Sequence, residues 1–263
     1  MDKRRMIAAN AAKLLRDGDT VNLGIGIPTL VSNYIEENKT VWIHTENGAV
    51  GVGRDLGCPW DDGSRRSAEA WMADRAGEKG SWRTGHKDLC NAGNAAITLL
   101  PGASCFDSTL SFAIARGGHL DAAILGALQV DRFGNLANWK IPGKKLNGMG
   151  GAMDLACGTD NIIVAMEHCA RDGSPKIVER CTLPLTAAGC VKTIVTELCI
   201  LVVSDRKLVV TAMAPGLSKE ELCAKTGTEL SFLSELRTMI VPSEEKTGAE
   251  RDESNEIQAR GKQ

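Results

Sequence analysis

One carboxylate in this chain stands where an active-site base or nucleophile is often found. Glu46 follows an apolar stretch ending at His44 and Thr45, and it is followed by Asn47 and Gly48. A glycine two residues further on lets the backbone turn sharply, so that the carboxylate can point into a cleft. A glutamate in such a place can act as a general base, a metal ligand or a covalent nucleophile. The alternative is a solvated surface charge, which is the commoner state of a loop glutamate.

A glycine-rich segment is the second feature that could carry chemistry. It reads G-M-G-G-A-M-D-L at residues 148–155, and its glycines are Gly148, Gly150 and Gly151. Such glycines leave room for backbone N–H groups to point at an anion or a polarised carbonyl, as in an oxyanion hole. A tight turn between two elements explains the segment equally well. The spacing matches neither the dinucleotide-binding G-x-G-x-x-G pattern nor the P-loop.

Two further loops combine polar residues with a turn. Asn22 opens N-L-G-I-G-I-P, in which Gly24 and Gly26 follow a strand-like stretch, as in a phosphate-binding turn. The spacing does not match the Rossmann pattern, and a plain strand-to-helix turn explains it as well. The loop at residues 137–145 contains Asn138 and is basic. It is either a contact for a phosphate or adenine ring or a solvated surface.

Several classes of function have no signature here. No two of the four histidines are spaced i, i+4 and none of the nine cysteines forms C-x-x-C, so we expect no bound metal. His119 and His168 are expected to be structural. A serine hydrolase motif G-x-S-x-G is absent. The net charge is −2, from 31 basic and 33 acidic side chains, so we expect no nucleic acid as a partner.

Composition favours an α/β protein. Hydrophobic residues make up 43% of the 263 residues but aromatic residues only 4%. The core must therefore consist of Val, Ile, Leu and Ala, as in buried parallel strands and the helices that cover them. No apolar run reaches transmembrane length, and residues 1–19 lack the apolar core of a secretory leader. We expect a cytoplasmic protein with reduced cysteines and no membrane partner.

The hydrophobic pattern predicts alternating strands and helices. Helices are predicted at residues 2–16, 29–36, 108–115 and 218–226, the last with Ser218 as N-cap and Glu221 completing a capping box. Strands are predicted at residues 21–23, 40–44, 95–100, 122–126, 162–166, within 192–203, and at 208–212. The first two strands each end in a glycine-bearing loop, which is where open α/β sheets bind their ligands.

The chain is predicted to contain one domain, residues 1–241. Residues 54–87 are rich in Gly, Asp, Arg, Ser and Trp, and they are predicted to form an inserted surface segment. Residues 242–263 are charged and lack apolar periodicity, so they are expected to be a disordered tail.

The motifs of this chain occur together, in the same order, in one known family. They are N-L-G-I-G-I-P at 22–28, E-N-G at 46–48, N-A-G at 91–93, L-P-G-A-S at 100–104, F-D-S at 106–108, R-G-G-H at 116–119, L-G-A-L-Q-V at 125–130, N-L-A-N-W at 135–139, I-P-G-K at 141–144, G-M-G-G-A-M-D-L at 148–155, M-E-H at 166–168 and C-T-L-P-L-T at 181–186. Over residues 5–240 the chain resembles the β subunit of the acetoacetate, butyrate and succinyl 3-oxoacid CoA-transferases, which are class I CoA-transferases. It also resembles the C-terminal half of their single-chain relatives.

The resemblance implies a three-layer α/β/α fold with a mostly parallel central sheet. It implies that Glu46 is the catalytic residue, which carries first an acyl group and then coenzyme A. Gly151 matches the family's backbone donor to the thioester oxygen, with Ala152 beside it. Asn22 matches a polar residue lining the same pocket. The neighbouring glycines of these two motifs, Gly24, Gly26 and Gly150, are expected to bind substrate or CoA with them.

The resemblance also implies partners. Motifs of the α half are absent, so an obligate α subunit is expected, in a heterotetramer or a larger assembly. Coenzyme A would be a co-substrate, with no permanently bound cofactor. The segment at residues 235–241 favours the members that use acetoacetate with acetate or butyrate. The chain departs from the usual relatives in a longer segment after Glu46 and in Asn94, where some relatives have Lys.

Two other functions remain open on the same scaffold. In a CoA-ester hydrolase, water rather than a carboxylate would resolve the glutamyl-CoA; the transferases exclude water from the site. In a non-catalytic binding relative no adduct would form, since a fold does not determine a function. The presence of Glu46 together with Gly151 argues against the binding relative.

Overall fold

Ten strands of the described chain form one sheet, and helices cover both of its faces. The structure is a computed structural model, and it describes residues 2–55, 89–93, 97–143 and 148–242. The predicted three-layer α/β/α fold is confirmed. The predicted inserted segment 54–87 lies outside the described residues except for its first two, which end a strand. The predicted tail lies outside them beyond residue 242.

The elements alternate along the chain as an α/β pattern requires. The helices are α1 Lys3–Ala12, a 3₁₀ helix Pro28–Tyr34, α2 Ser108–Arg116, α3 Ala152–Gly158 and α4 Lys219–Ala224. The strands are β1 Thr20–Leu23, β2 Trp42–Thr45, β3 Ala49–Asp55, β4 Ile97–Cys105, β5 Ala122–Leu125, β6 Gln129–Asp131, β7 Leu136–Ala137, β8 Ile162–Ala165, β9 Ile177–Val178, β10 Val191–Val195, β11 Cys199–Ser204, β12 Lys207–Met213 and β13 Leu230–Thr238.

The centre of the sheet is parallel and its flanks are largely antiparallel. The order is β13-β12-β11-β10-β8-β5-β1-β2-β3-β4, and the five strands from β10 to β2 run parallel. Strands β5 and β8, which read A-A-I-L and I-I-V-A, are buried at every position. Continuous apolar strands of this kind are typical of sheets covered on both faces. A separate small sheet pairs β7, β6 and β9.

Apolar side chains on the two faces of the sheet form two cores. One face packs against α1 and includes Ile7, Val21 and Ile124. The other face packs against α2, α3 and α4, with Leu155 and Leu222 among its buried residues. Successive residues of a strand point to opposite faces, so Ile124 and Leu125 belong to different cores. In the described chain no helix combines the length and the apolar character needed to cross a membrane.

Several predicted elements differ from the structure in extent or type. Helix α1 ends at Ala12 rather than at residue 16. The helix predicted at 29–36 is a 3₁₀ helix, in which the hydroxyls of Thr29 and Ser32 bond to nearby backbone carbonyls and compete with the α-helical ladder. The capping box of α4 is confirmed, since Ser218 and Glu221 bond reciprocally at 2.9 and 3.1 Å.

Six elements were not expected from the sequence, namely strand β3, strand β13, helix α3 and the three short strands β6, β7 and β9 of the small sheet. Strand β3 reads A-V-G-V-G-R-D, and its two glycines weaken the sequence signal for a strand. The strand forms nevertheless, because it pairs with β2 and β4. Edge strand β13 is mostly exposed, so it shows little apolar periodicity. Helix α3 begins directly after the glycines of residues 148–151, which predicted only a turn or an oxyanion loop.

The buried side chain of Asn10 joins α1 to the segment that follows β13, and its loss is expected to lower the stability of the fold. The Asn10 amide donates to the carbonyls of Met6 and Ile240, both at 2.8 Å, and accepts from the Ile240 N–H at 3.0 Å. An Asn10→Ala change leaves both backbone groups of Ile240 without these partners, so we expect a loss of about 2–3 kcal/mol in the free energy of unfolding. Guanidinium unfolding measures it, with exposed Asn33→Ala as control. An equal stability of the two variants would contradict this role.

Candidate active site

The residues singled out in the sequence meet at the carboxyl ends of the central strands. Strand β1 pairs with β2 on one side and with β5 on the other, all in parallel. The strands β2, β3 and β4 that follow β1 lie on one side of it, and the later strands of this sheet, from β5 onward, lie on the other side. This reversal is a topological switch point, where α/β sheets form their binding crevice. Glu46 directly follows β2 at this position.

Glu46 is half-buried, and among the described residues the side chain of Asn22 is hydrogen-bonded to its carboxylate. The side-chain amide nitrogen of Asn22, on the adjacent strand β1, lies 3.2 Å from Oε2 of Glu46. The turn behind it requires a glycine, because Gly48 has φ +126° and an added Cβ would lie 2.1 Å from the Phe106 carbonyl oxygen. The backbone thus turns sharply beneath Glu46, as its sequence context predicts.

A second loop is attached to the loop of Glu46. The N–H of Ala92 donates to the hydroxyl of Thr45 at 3.0 Å, and the amide of Asn47 donates to the Cys90 carbonyl at 2.8 Å. The Thr45 hydroxyl in turn donates to Asn47 Oδ1 at 2.7 Å. Hydrogen bonds therefore join the loops of the E-N-G and N-A-G motifs beside the carboxylate.

Gly151 faces Glu46 from the start of α3. A Cβ added at Gly151 would lie 3.3 Å from Cγ of Glu46 and 3.0 Å from two ring carbons of Phe112. Its φ of −79° is ordinary, so glycine is needed here for space rather than for backbone conformation. Gly150 has φ +51° and forms the turn before it. The N–H of the next residue, Ala152, already donates to the Met149 carbonyl at 3.3 Å, which leaves the amide of Gly151 as the better-placed donor.

The glycines of the first motif have different roles. An added Cβ at Gly24 would lie 3.1 Å from the Ile124 carbonyl oxygen, which also accepts the Gly24 N–H at 2.8 Å. Gly24 therefore allows the end of β1 to pack on β5. Gly26 has φ +96° and open space around it, so it serves the turn. Neither position has a contact that assigns it to a substrate, and binding by Gly24 and Gly26 stays a prediction.

The polar loop at residues 137–145 is tied to the same edge. Asn138 donates to the Gly126 carbonyl at 3.2 Å and accepts from the Thr186 hydroxyl at 2.6 Å. Trp139 donates its indole N–H to the Leu185 carbonyl at 3.2 Å. Both polar side chains are therefore used within the protein. The basic residues 144 and 145 lie outside the described residues.

The structure reveals a buried polar chain beneath Glu46 that the sequence did not indicate. Asn22, His44 and Ser111 are each 0% exposed. Asn22 Nδ2 lies 3.1 Å from Nδ1 of His44, and Ser111 Oγ lies 2.9 Å from its Nε2. Burial lowers the pKa of His44 to about 4. The β1/β2 register pairs Asn22 with His44, and only that pairing makes their side chains neighbours.

His168 is a second buried histidine, and its bonds are structural as predicted. Its ring nitrogens lie 3.0 Å from the hydroxyls of Thr196 and Thr226, and its backbone N–H donates to the Glu197 carboxylate at 2.9 Å. Burial lowers its pKa to about 4, although the nearby Glu197 carboxylate opposes the shift. Among the described residues no group of three or more His, Cys, Asp or Glu could hold a metal ion.

The two buried histidines are expected to make folding sensitive to mild acid. The unfolded chain takes up protons as the pH falls through 6.5, but the folded chain does so only near 4. The contribution of these histidines to the free energy of unfolding is therefore fully present above pH 6.5. It is lost as the pH falls, by about 3 kcal/mol for each histidine at pH 4. Guanidinium unfolding at pH 7 and pH 5 should show a smaller decline for His168→Gln than for the parent. An equal decline would show that His168 does not contribute to the acid sensitivity.

An open depression elsewhere shares no residue with the Glu46 site. Its volume is about 600 Å³, and it is lined by Glu179, Cys223, Thr226, Thr228, Glu229 and Leu230. The convergence of Glu46, Asn22 and Gly151, rather than cavity size, therefore marks the candidate active site.

The chain is similar in sequence to known coenzyme A transferases. The chain is 45% identical over 238 residues to the acetate CoA-transferase subunit beta of Escherichia coli K12, covering 90% of this chain and 98% of that protein. It is 41% identical over 240 residues to human mitochondrial succinyl-CoA:3-ketoacid coenzyme A transferase 2, covering 90% of this chain and 42% of that longer protein.

A solved structure supports the fold. The acyl-CoA transferase apoenzyme of Escherichia coli O157:H7 superposes with a TM-score of 0.63 at 19% identity, over 91% of this chain and 43% of that one. The family model for coenzyme A transferases matches residues 4–57 and 83–225, which leaves residues 58–82 unmatched. The chain therefore belongs to the coenzyme A transferase family.

Proposed function

We propose that this chain is the glutamate-bearing β subunit of an enzyme that moves CoA between a short-chain acyl-CoA and a 3-oxocarboxylate. The observation that carries the proposal is the position of Glu46. Its half-buried carboxylate lies at the switch point of the sheet, 3.2 Å from the Asn22 amide and beside the space left open by Gly151. A half-buried carboxylate that is held by a neutral amide and faces open space is suited to covalent catalysis.

The proposed reaction proceeds through two kinds of covalent intermediate. The Glu46 carboxylate attacks the thioester carbon, the C–S bond breaks, and an acyl–glutamyl anhydride and CoA thiolate result. The thiolate then attacks the glutamyl carbon, releasing the carboxylate of the donor acid and leaving a glutamyl-CoA thioester. The acceptor carboxylate repeats these steps in reverse. Charge moves between oxygen and sulfur without a net proton transfer, so the site requires no general base.

Two neighbouring groups support these steps. The Asn22 amide can hold one oxygen of Glu46, so that the other oxygen is presented to the substrate. The N–H of Gly151, at the start of α3, can donate to the thioester oxygen as it becomes negative. The ring of Phe112, which lies close to Gly151, limits the space available to water. Excluding water favours transfer to a carboxylate over hydrolysis.

We further propose that an α subunit completes the site. The bacterial relative that matches over its whole length is itself named as a beta subunit. Two apolar side chains in the site loops are left uncovered, Ile25 at 65% and Met149 at 41% exposure. Large apolar residues that remain exposed around a polar site are typical of a surface that a partner covers. Acetoacetate with acetate or butyrate are the proposed substrates.

Trapping the intermediate tests the proposal. The chain, co-purified with its α-type partner, is incubated with acetoacetyl-CoA and analysed by peptide mass spectrometry, with and without borohydride or hydroxylamine. We expect a CoA-sized adduct on the peptide that contains Glu46. An adduct that disappears equally fast with and without added acetate would identify a hydrolase. Failure to form an adduct with any short acyl-CoA would favour a non-catalytic binding protein.

A further inference from the structure

Asn22, His44 and Ser111 form a buried series of hydrogen bonds beneath Glu46, and the donor and acceptor of each bond can be assigned. Ser111 Oγ lies 3.2 Å from the carbonyl oxygen of Thr45, which can only accept, so the hydroxyl hydrogen points there. The oxygen of Ser111 must then accept at 2.9 Å from Nε2–H of His44. A neutral histidine that is protonated on Nε2 has a bare Nδ1, which accepts from the Asn22 amide at 3.1 Å.

These assignments leave one orientation open to the Asn22 amide. Its Nδ2 faces three acceptors, namely Nδ1 of His44, the His44 carbonyl oxygen at 3.3 Å and Oε2 of Glu46 at 3.2 Å. If the amide were rotated by 180°, its oxygen would meet the same three acceptors and be repelled by each of them. The hydroxyl of Ser111 and the tautomer of His44 therefore make Nδ1 of His44 an acceptor, which favours the orientation of Asn22 that turns its N–H toward the carboxylate.

The Asn22 amide has this orientation although its own oxygen is left without a hydrogen-bond partner among the described residues. Asn22 is 0% exposed, and its Oδ1 has no hydrogen-bond partner within the described residues. A buried acceptor without a partner lowers the stability of the fold, because its hydration is lost and not replaced. A local cost of this kind is typical of positions that serve a function rather than the fold. The function available to Asn22 is the donation of its N–H to Glu46.

His44 also satisfies a second requirement, which is that it remains neutral. The ring is 0% exposed and stacks at 6.4 Å from the ring of Phe106, an environment that disfavours the imidazolium. A protonated ring would donate from both nitrogens and would turn Nδ1–H against the Asn22 N–H. The neutral ring is the form that supports the observed chain.

We propose that His44 is a positioning residue of the transfer reaction: held by Ser111 in its Nε2–H form, it fixes the Asn22 amide so that it donates to Glu46. This inference rests on the proposed function, since it concerns the orientation of the same nucleophile. It assigns a role in catalysis to His44 and Ser111, neither of which touches the substrate.

The test uses the complex with the α subunit and compares three variants of the chain. Single-turnover formation of the Glu46 adduct gives the chemical rate, and its dependence on acyl-CoA concentration gives the binding constant. We expect His44→Leu to slow adduct formation about 100-fold, by analogy with the loss of one positioned donor, with acyl-CoA binding changed less than about 3-fold. His44→Gln should recover most of the rate, since its amide offers both an acceptor and a donor. Ser111→Ala should slow the reaction about 10-fold, because it loses the tautomer control but keeps the ring.

A double variant shows whether His44 acts through Asn22. If it does, adding His44→Leu to Asn22→Ala changes the rate little, because the group that His44 positions is already gone. Fully additive losses would overturn the proposal, and so would a parental rate in folded His44→Leu. If His44→Leu does not fold, a parental rate in Ser111→Ala overturns it. The parent complex distinguishes failure of the proposed function from failure of the role of His44. If the parent forms no adduct, the proposed function itself is refuted.

Discussion

Replacing Glu46 by alanine is expected to lower the rate of CoA transfer by about 10⁴-fold or more, because the change removes the proposed covalent carrier. The variant should still bind acyl-CoA, since the neighbouring loops keep their own bonds through Thr45, Asn47 and Ala92. The expected result is therefore a collapse of the chemical rate at an almost unchanged binding constant. Steady-state transfer assays of the α-containing complex, together with mass spectrometry for the adduct, measure both quantities.

The control for Glu46→Ala is a glutamate that has no such environment. Glu37 is exposed on a loop before β2, and Glu37→Ala should keep the parental rate. If Glu46→Ala retained more than about one hundredth of the parental activity, another group would have to be the nucleophile. If it lost activity but the parent formed its adduct on a different residue, the covalent chemistry would stand and the assignment of Glu46 would be wrong.

The second large effect is expected from adding bulk at Gly151. The Cβ of an alanine would meet the Phe112 ring at 3.0 Å and Cγ of Glu46 at 3.3 Å, so both side chains must move by a few tenths of an ångström. A displaced nucleophile reacts slowly, since a misplacement of about 1 Å can cost 100-fold. We expect losses of about 10–100-fold for Gly151→Ala and of about 10³-fold for Gly151→Val, whose branched side chain occupies the space beside the thioester oxygen.

Stability measurements separate this effect from a folding defect. Gly151 has an ordinary φ of −79°, so an alanine there causes no backbone strain. Gly173 has φ +84° with open space around it, and Gly173→Ala should cost about 1 kcal/mol of stability without loss of activity. Gly48→Ala should fail to fold correctly, because its Cβ would lie 2.1 Å from the Phe106 carbonyl oxygen. A parental rate in Gly151→Val would refute an active-site position for Gly151.

The same edge of the sheet carries both the proposed nucleophile and the proposed surface for the partner. The E-N-G and N-A-G loops are cross-linked by bonds from Thr45 and Asn47, which keeps Glu46 in place. The neighbouring loops instead expose Ile25 and Met149. Hydrogen-bonded loops at Glu46 next to loops with exposed apolar residues suit the proposal that a second subunit covers this edge without displacing Glu46.

Much of this protein follows from local sequence pattern. Apolar runs such as A-A-I-L and I-I-V-A predicted the central strands, because a strand buried on both faces must be apolar throughout. Ser218 and Glu221 predicted the capped start of α4, because a capping box lies within one turn of chain. The position of Glu46 after a strand, with Gly48 behind it, predicted a carboxylate on a sharp turn. Such features depend on neighbours in sequence.

Only the tertiary structure decided what surrounds Glu46. The parallel register of β1 and β2 brings Asn22 beside His44, and packing of α2 brings Ser111 beneath both. Neither histidine nor serine spacing in the sequence indicates this contact. Gly151 reaches Glu46 because α3 packs on the same end of the sheet, a placement that its glycine-rich pattern left open. These contacts join residues far apart in the chain, and their geometry depends on strand register and helix packing, which local pattern does not encode.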